Sequence, residues 1–173
     1  MIIQKPALVA RLGRRGRARL ADLYEAHGPH ALRLAYVLTG DRELAQDLVQ
    51  DAFVKLSGRF ADLRDPGAFQ AYLTKTIVNL AKMHWRRKGI ERSVVERQRP
   101  PAARDSHLPD IEGYEEIKAA LLRINPRQRA AIVLRFFEDL SEAETADVLG
   151  CATGTVKLLV HRGLQTMRTE MER

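Results

Sequence analysis

The chain has 173 residues, 45% of them hydrophobic, enough apolar material for one large core or two small ones and too much for wholesale disorder. Its net charge is +7, and its single cysteine, Cys151, excludes an internal disulfide and suits a reducing cytoplasm. No run approaches the roughly 20 apolar residues of a membrane span, and the charges of the first 19 residues follow a short apolar patch, the wrong order for a secretory signal.

The charge is unevenly spread. Residues 1–19 hold six basic residues and no acid, and residues 66–89 hold five and none. Residues 20–65 are acidic on balance, and residues 113–173 hold nine of each sign. A cationic block inside a folded region marks a polyanion site. The neutral C-terminal part is not drawn to DNA by charge alone.

Only helical periodicity appears, without an alternating strand pattern. Residues 1–17 read as a flexible basic arm. A helix from about Arg19 to Leu38 carries Leu20, Leu23, Tyr24, His27, Ala31, Leu34, Ala35 and Leu38 on an apolar side, with Gly28-Pro29 as a point of interruption. Thr39-Gly40-Asp41 is turn chemistry, and Asp41 is the expected cap of a helix over 42–58. That helix gathers Leu44, Leu48, Ala52, Phe53 and Leu56 on one side and turns Asp47, Gln50 and Asp51 to the other. A loop over 61–68 holds Arg64-Asp65-Pro66-Gly67. A long helix follows from Phe69 to Arg87, with apolar Phe69, Tyr72, Leu73, Ile77, Leu80 and Met83 and the cations Lys75, Lys82, Arg86 and Arg87, then Lys88. Residues 90–112 are polar and proline-containing, a linker too long for the inside of a compact domain. Further helices are predicted over 114–123, 126–138, 141–149 and 153–171, with Asn125 capping and Pro126 in the first turn of the second. The expected fold is all-α: two small helical domains, 18–89 and 113–173, joined by a flexible linker.

The segment from Ser141 to Leu164 has the form of a helix-turn-helix. Ser141 and Glu144 make an S-x-x-E capping box, and Gly150 can take the left-handed conformation that ends a helix. Ala146 allows close helix approach, Val156 closes the core between the helices, and Cys151 fills the turn in a packing role. Thr153 is the expected cap of the second helix, and Val156, Val160 and Leu164 its buried stripe. At about 100° per residue, Thr155, Lys157, Leu158, His161 and Arg162 then face outward, while Leu159 tucks against the core edge.

In combination these motifs resemble the bacterial extracytoplasmic-function (ECF) sigma factors, the short sigma-70-type members that carry only the promoter −10 and −35 domains. The resemblance rests on Ala45-Gln46-Asp47-Leu48-Val49-Gln50-Asp51-Ala52-Phe53, on Ala68-Phe69 through Asn79-Leu80-Ala81 to Trp85-Arg86-Arg87, on Leu122-Arg123-Ile124-Asn125-Pro126-Arg127-Gln128-Arg129, and on Gly154-Thr155-Val156-Lys157 with His161-Arg162. Tyr36-Val37-Leu38-Thr39-Gly40-Asp41 is similar to the actinobacterial SigE-like branch. The resemblance implies a transcription initiation factor that binds core RNA polymerase and promoter DNA, is monomeric when free, and in many members meets an anti-sigma factor. It implies that Asp47, Gln50 and Asp51 dock on the polymerase. It also implies that Arg64, Asp65, Lys75, Asn79, Lys82, Arg86, Arg87 and Lys88 serve −10 recognition and melting, where a base is flipped from the stack. Arg127, Thr155, Lys157, Leu158, His161 and Arg162 are then the −35 residues. Phe69, Tyr72 and Trp85 could stack bases, but their helical spacing favours core packing.

The sequence departs from the family at Leu158-Leu159-Val160, where serine, arginine and leucine are usual. Leu158 either touches thymine methyl groups or meets a hydrophobic partner such as an anti-sigma protein. Losing the arginine weakens the expected −35 contact. Free of polymerase, the acidic and basic faces are expected to pack against the other domain. The competing reading is a response-regulator-type helix-turn-helix regulator, which requires an α/β receiver domain with clustered acids. Five scattered histidines and one cysteine give no metal-ligand spacing. No cofactor and no enzymatic constellation is expected.

Overall fold

The computed structural model describes residues 14–57, 66–89 and 114–172. Among these residues there is no strand of the kind that the α/β receiver of the competing reading requires. The N-terminal unit consists of α1 (Arg14–Thr39), α2 (Arg42–Ser57) and α3 (Pro66–Arg87). The C-terminal unit consists of α4 (Tyr114–Arg123), α5 (Pro126–Ile132), a π turn (Val133–Phe137), α6 (Glu142–Leu149) and α7 (Thr153–Met171). The linker 90–112 and the loop residues Arg64 and Asp65 lie outside the described residues.

Two boundaries of the first helix differ from expectation. It starts at Arg14, inside the stretch read as a flexible arm, and it continues through Pro29 instead of breaking there. Pro29 offers no N–H to the carbonyl four residues back. The apolar positions Leu20, Ala31, Leu34, Ala35 and Leu38 are nevertheless buried on both sides of the proline, and this packing against α2 and α3 keeps the helix running. Gly40, at φ +70, makes the turn into α2, and the Asp41 carboxylate accepts from the Leu44 N–H at 3.0 Å. The core of this unit is aromatic at its centre. Phe53 and Phe69 are fully covered, with Tyr24 edge-on to Phe53 at 5.0 Å and His27 against Phe69 at 4.9 Å.

In the C-terminal unit Asn125 caps α5 through the Arg127 N–H, with Pro126 in the first turn. The helix then widens into the π turn, and Asp139, at φ 52, swings the chain into α6. Both halves of the Ser141–Glu144 capping box are formed, and Gly150 ends α6 in the left-handed conformation. Thr153 is not the cap of α7: Ala152 occupies that position and gives no side-chain hydrogen bond, so Thr153 is the first helical residue. The buried stripe of α7 also differs. It consists of Val156, Gly163 and Met167, with Val160 half-buried and Leu164 exposed.

The two units are packed together. Arg129 of α5 reaches across to donate to the Leu38 carbonyl at the end of α1 (2.7 Å), and Leu122 of α4 lies against Gly40. Lys118 sits over the Tyr36 ring at 5.0 Å. Burial lowers the Arg129 guanidinium to about 10, which still leaves it charged near neutrality.

Candidate polymerase and DNA interfaces

On α2, the buried residues Ala45, Leu48, Val49, Ala52, Phe53 and Leu56 occupy one side. Asp47 is exposed and Gln50 and Asp51 half-buried on the opposite side, and Glu43 continues the face toward the helix start. The result is an acidic, hydrogen-bonding ridge that can pair with a basic partner.

On α3, Lys75, Asn79, Lys82 and Arg86 follow one another at intervals of four, three and four residues. At about 100° per residue they fall within about 60° of each other, a single polar stripe along the helix. Phe69, Leu73, Ile77, Val78, Ala81 and Trp85 are buried on the other side. Phe69 and Trp85 are thus core residues, as their spacing suggested. Tyr72 is not: 49% of it is exposed, beside the stripe, and Met83 is exposed as well. No local signal separates Tyr72 from Phe69, because both obey the same apolar period. Arg87 and Lys88 are exposed at the end of the helix. Burial, and then the charge of Lys88, lower the His84 imidazole below its ordinary value, which favours its neutral form beside this basic tip.

Two cations of the stripe are already engaged. Lys75 Nζ lies 2.7 Å from the Asp147 carboxylate, and Lys82 Nζ donates to the Leu149 carbonyl at 2.7 Å. Both partners belong to α6. The expected closure of the basic face against the other unit is therefore present, while Asp47 of the acidic face remains exposed.

On α7, Lys157, Leu158, His161 and Arg162 are exposed and Thr155 is half-buried, the outward face expected from the helical angles. Leu158 is 46% exposed, and Leu159 is packed at the core edge. Lys157 lies 3.4 Å from Glu142 in a solvent-exposed pair. Arg127 is exposed and lines, with Lys82, Leu149 and Leu159, a small cleft between α3 and the C-terminal unit. Hydrogen bonds with the Ser141 hydroxyl and backbone N–H hold the Glu144 carboxyl below its ordinary value, so the capping box keeps its charge to lower pH than a free glutamate would. Among the described residues no cluster of His, Cys, Asp and Glu could hold a metal, and no helix is long and apolar enough to cross a membrane.

Comparison with known proteins agrees with this geometry. Residues 23–90 match the model of sigma-70 region 2, and residues 114–167 match that of sigma-70 region 4. The RNA polymerase sigma-E factor of Streptomyces avermitilis is 36% identical over 141 residues, covering 82% of this chain and 78% of that protein. The ECF RNA polymerase sigma factor SigE of Mycolicibacterium smegmatis is 34% identical over 153 residues, covering 85% of this chain and 59% of that protein. Among solved structures, the sigma factor RpoE of Bartonella quintana, crystallised with the anti-sigma factor NepR, shares the fold with a TM-score of 0.67. It is 22% identical and is covered over 98% of its chain, against 92% of this one.

Proposed function

The chain belongs to the sigma-70 family of RNA polymerase sigma factors, in its ECF group, and we propose that its two helical units share promoter recognition and opening between them. It is a transcription initiation factor. The N-terminal unit, residues 18–89, docks on core RNA polymerase through Asp47, Gln50 and Asp51. The same unit holds the −10 DNA along Lys75, Asn79, Lys82, Arg86, Arg87 and Lys88, with Arg64 and Asp65 forming the pocket loop for a flipped base. The C-terminal unit, residues 113–173, reads the −35 element through Thr155, Lys157, Leu158, His161 and Arg162, with Arg127 on the phosphates. The protein works in the cytoplasm, catalyses no covalent reaction itself, and is monomeric when free.

One observation supports this division most directly: a stripe of cations without a nearby acid on its own helix lies on the same small unit as an outward acidic ridge. Phosphates are bound by such a stripe without sequence choice, so discrimination must come from groups that touch bases. The Asn79 amide can donate to and accept from a base edge. Exposed Tyr72 supplies the aromatic face on which an unstacked base can rest, a contact worth about 1–3 kcal/mol per base. Leu158, exposed on α7, touches thymine methyl groups in this reading, and its alternative role is contact with an anti-sigma protein.

Run-off transcription with core polymerase on a promoter library tests the assignment. Added chain is expected to start transcripts from templates sharing two spaced elements, and reversing Asp47 and Asp51 to Lys is expected to weaken core binding by about tenfold or more. The absence of added transcripts on every template would refute it. Leu158→Ser, scored against −35 mutant promoters and against partner binding, separates the two roles of that residue.

A further inference from the structure

Building on that reading, we infer that Glu142, the first residue of α6, sets how α7 meets the promoter duplex: it keeps Lys157 off the phosphates and reserves that lysine for a base edge. Glu142 is then a specificity-determining residue of the −35 unit, although it lies outside the recognition helix. Its carboxylate stands 3.4 Å from Lys157 Nζ, reaching from the start of α6 to α7. Both side chains are accessible, 43% and 66% exposed, so the pair adds little to stability. Its consequence lies in what the carboxylate does to a third charge. A phosphate drawn to Lys157 must approach Glu142 as well. At a separation of about 7 Å in water the two anions repel by enough to cut affinity about threefold. A guanine edge makes no such demand: its N7 and O6 are neutral acceptors to which a lysine donates.

The surroundings of the pair act in the same direction. A helix N-terminus ordinarily attracts phosphate. The first turn of α6 instead carries two acids, Glu142 and Glu144, and the Glu144 carboxylate already accepts from the Ser141 N–H at 2.8 Å. The far edge of the recognition face is different. Arg162 stands about 140° round α7 from Lys157, with His161 and Leu158 between them. Arg162 is exposed, as is Arg127, and among the described residues neither pairs with a carboxylate. Residues 113–173 hold nine charges of each sign, so this unit attracts phosphate only where its cations are left free. The acids of α6 thus confine phosphate contact to the arginine side and leave Lys157 facing the groove.

The full chain carrying Glu142→Gln tests the inference, beside the double variant Glu142→Gln/Lys157→Gln. Should helicity fall, Glu142→Ser repeats the removal of charge with a second side chain. Binding of a mixed-sequence DNA duplex is followed by fluorescence anisotropy across a salt series. Glu142→Gln is expected to bind this duplex about threefold tighter. The slope of log affinity against log salt should steepen by about 0.9, the increment of one added phosphate contact. The double variant should show no steepening. Selection from random duplexes by the chain bound to core polymerase gives the second readout, in which Glu142→Gln should enrich the parent's −35 element about threefold less. An unchanged slope in Glu142→Gln, the same steepening without Lys157, or equal enrichment by parent and variant would overturn this role. Run-off transcription is scored alongside: transcripts with an unchanged slope remove the role of Glu142 alone, and a steeper slope without any transcripts removes the sigma assignment alone.

Discussion

Thr145 is completely buried in α6, and its hydroxyl has no hydrogen-bond partner. A buried hydroxyl without a partner retains its desolvation cost, whereas a methyl group of the same shape does not. Thr145→Val keeps the β-branched outline and the helix and removes only the polar atom. We expect a gain of about 1 kcal/mol in chemical denaturation, and a rise in Tm of about 2–4 °C for a chain of this size. A loss of stability would mean that the hydroxyl is satisfied and contributes to the turn. Position decides the effect of chemistry at other residues too. Tyr72 and Phe69 are both aromatic and three residues apart, yet one is exposed beside the cationic stripe of α3 and the other is sealed in the core.

The packing of α7 on α5 depends on an absent side chain. A Cβ added at Gly163 would meet Ile132 Cδ1 at 2.7 Å and Gln128 Cβ at 3.1 Å. The first atom ends a flexible side chain and can move, but the second is fixed to the α5 backbone. Gly163→Val gains well under 1 kcal/mol in helix propensity, against about 1–3 kcal/mol for overpacking. A net loss of about 2 kcal/mol is expected in urea denaturation, together with weaker binding of promoter duplex as the recognition helix tilts. Unchanged stability would show that α5 gives way. This contact was hidden in the sequence because fours are a poor guide over distance. Val156, Val160 and Leu164 drift by about 40° at each step, so the third leaves the interface and Gly163 and Met167 take its place. Features closed within four residues were legible, among them the Ser141–Glu144 box, the Gly150 cap and the Asn125-Pro126 start. The cap of α7 was misplaced by one residue because the turn geometry, not side-chain preference, gives Ala152 the extended backbone.

The docking of the two units left no local trace in the sequence, because its contacts join distant residues. His30 meets Glu138, and Arg129 meets Leu38. Composition showed where positive charge accumulates, and closure of that face against the other unit was expected, but not that α6 would be the element to meet it. Arg129 is the contact on which this arrangement can be tested for cooperativity. Its guanidinium donates to the Leu38 carbonyl at 2.7 Å and to the Leu122 carbonyl at 2.9 Å, so one cation serves the C-terminal ends of α1 and α4 together. Both ends carry partial negative charge, which helps to offset the cost of burying the cation. Lysine would keep the charge but lose the planar fork, leaving at least one buried carbonyl unpaired. Arg129→Lys is therefore expected to cost about 2 kcal/mol and to lower Tm by about 4–8 °C. Scattering then distinguishes what the residue does. If its bond to Leu38 helps to hold the units together, the variant has a larger radius of gyration and binds oligo-dT more tightly. If Arg129 matters only inside the C-terminal unit, through Leu122, Tm falls while the chain stays as compact as before.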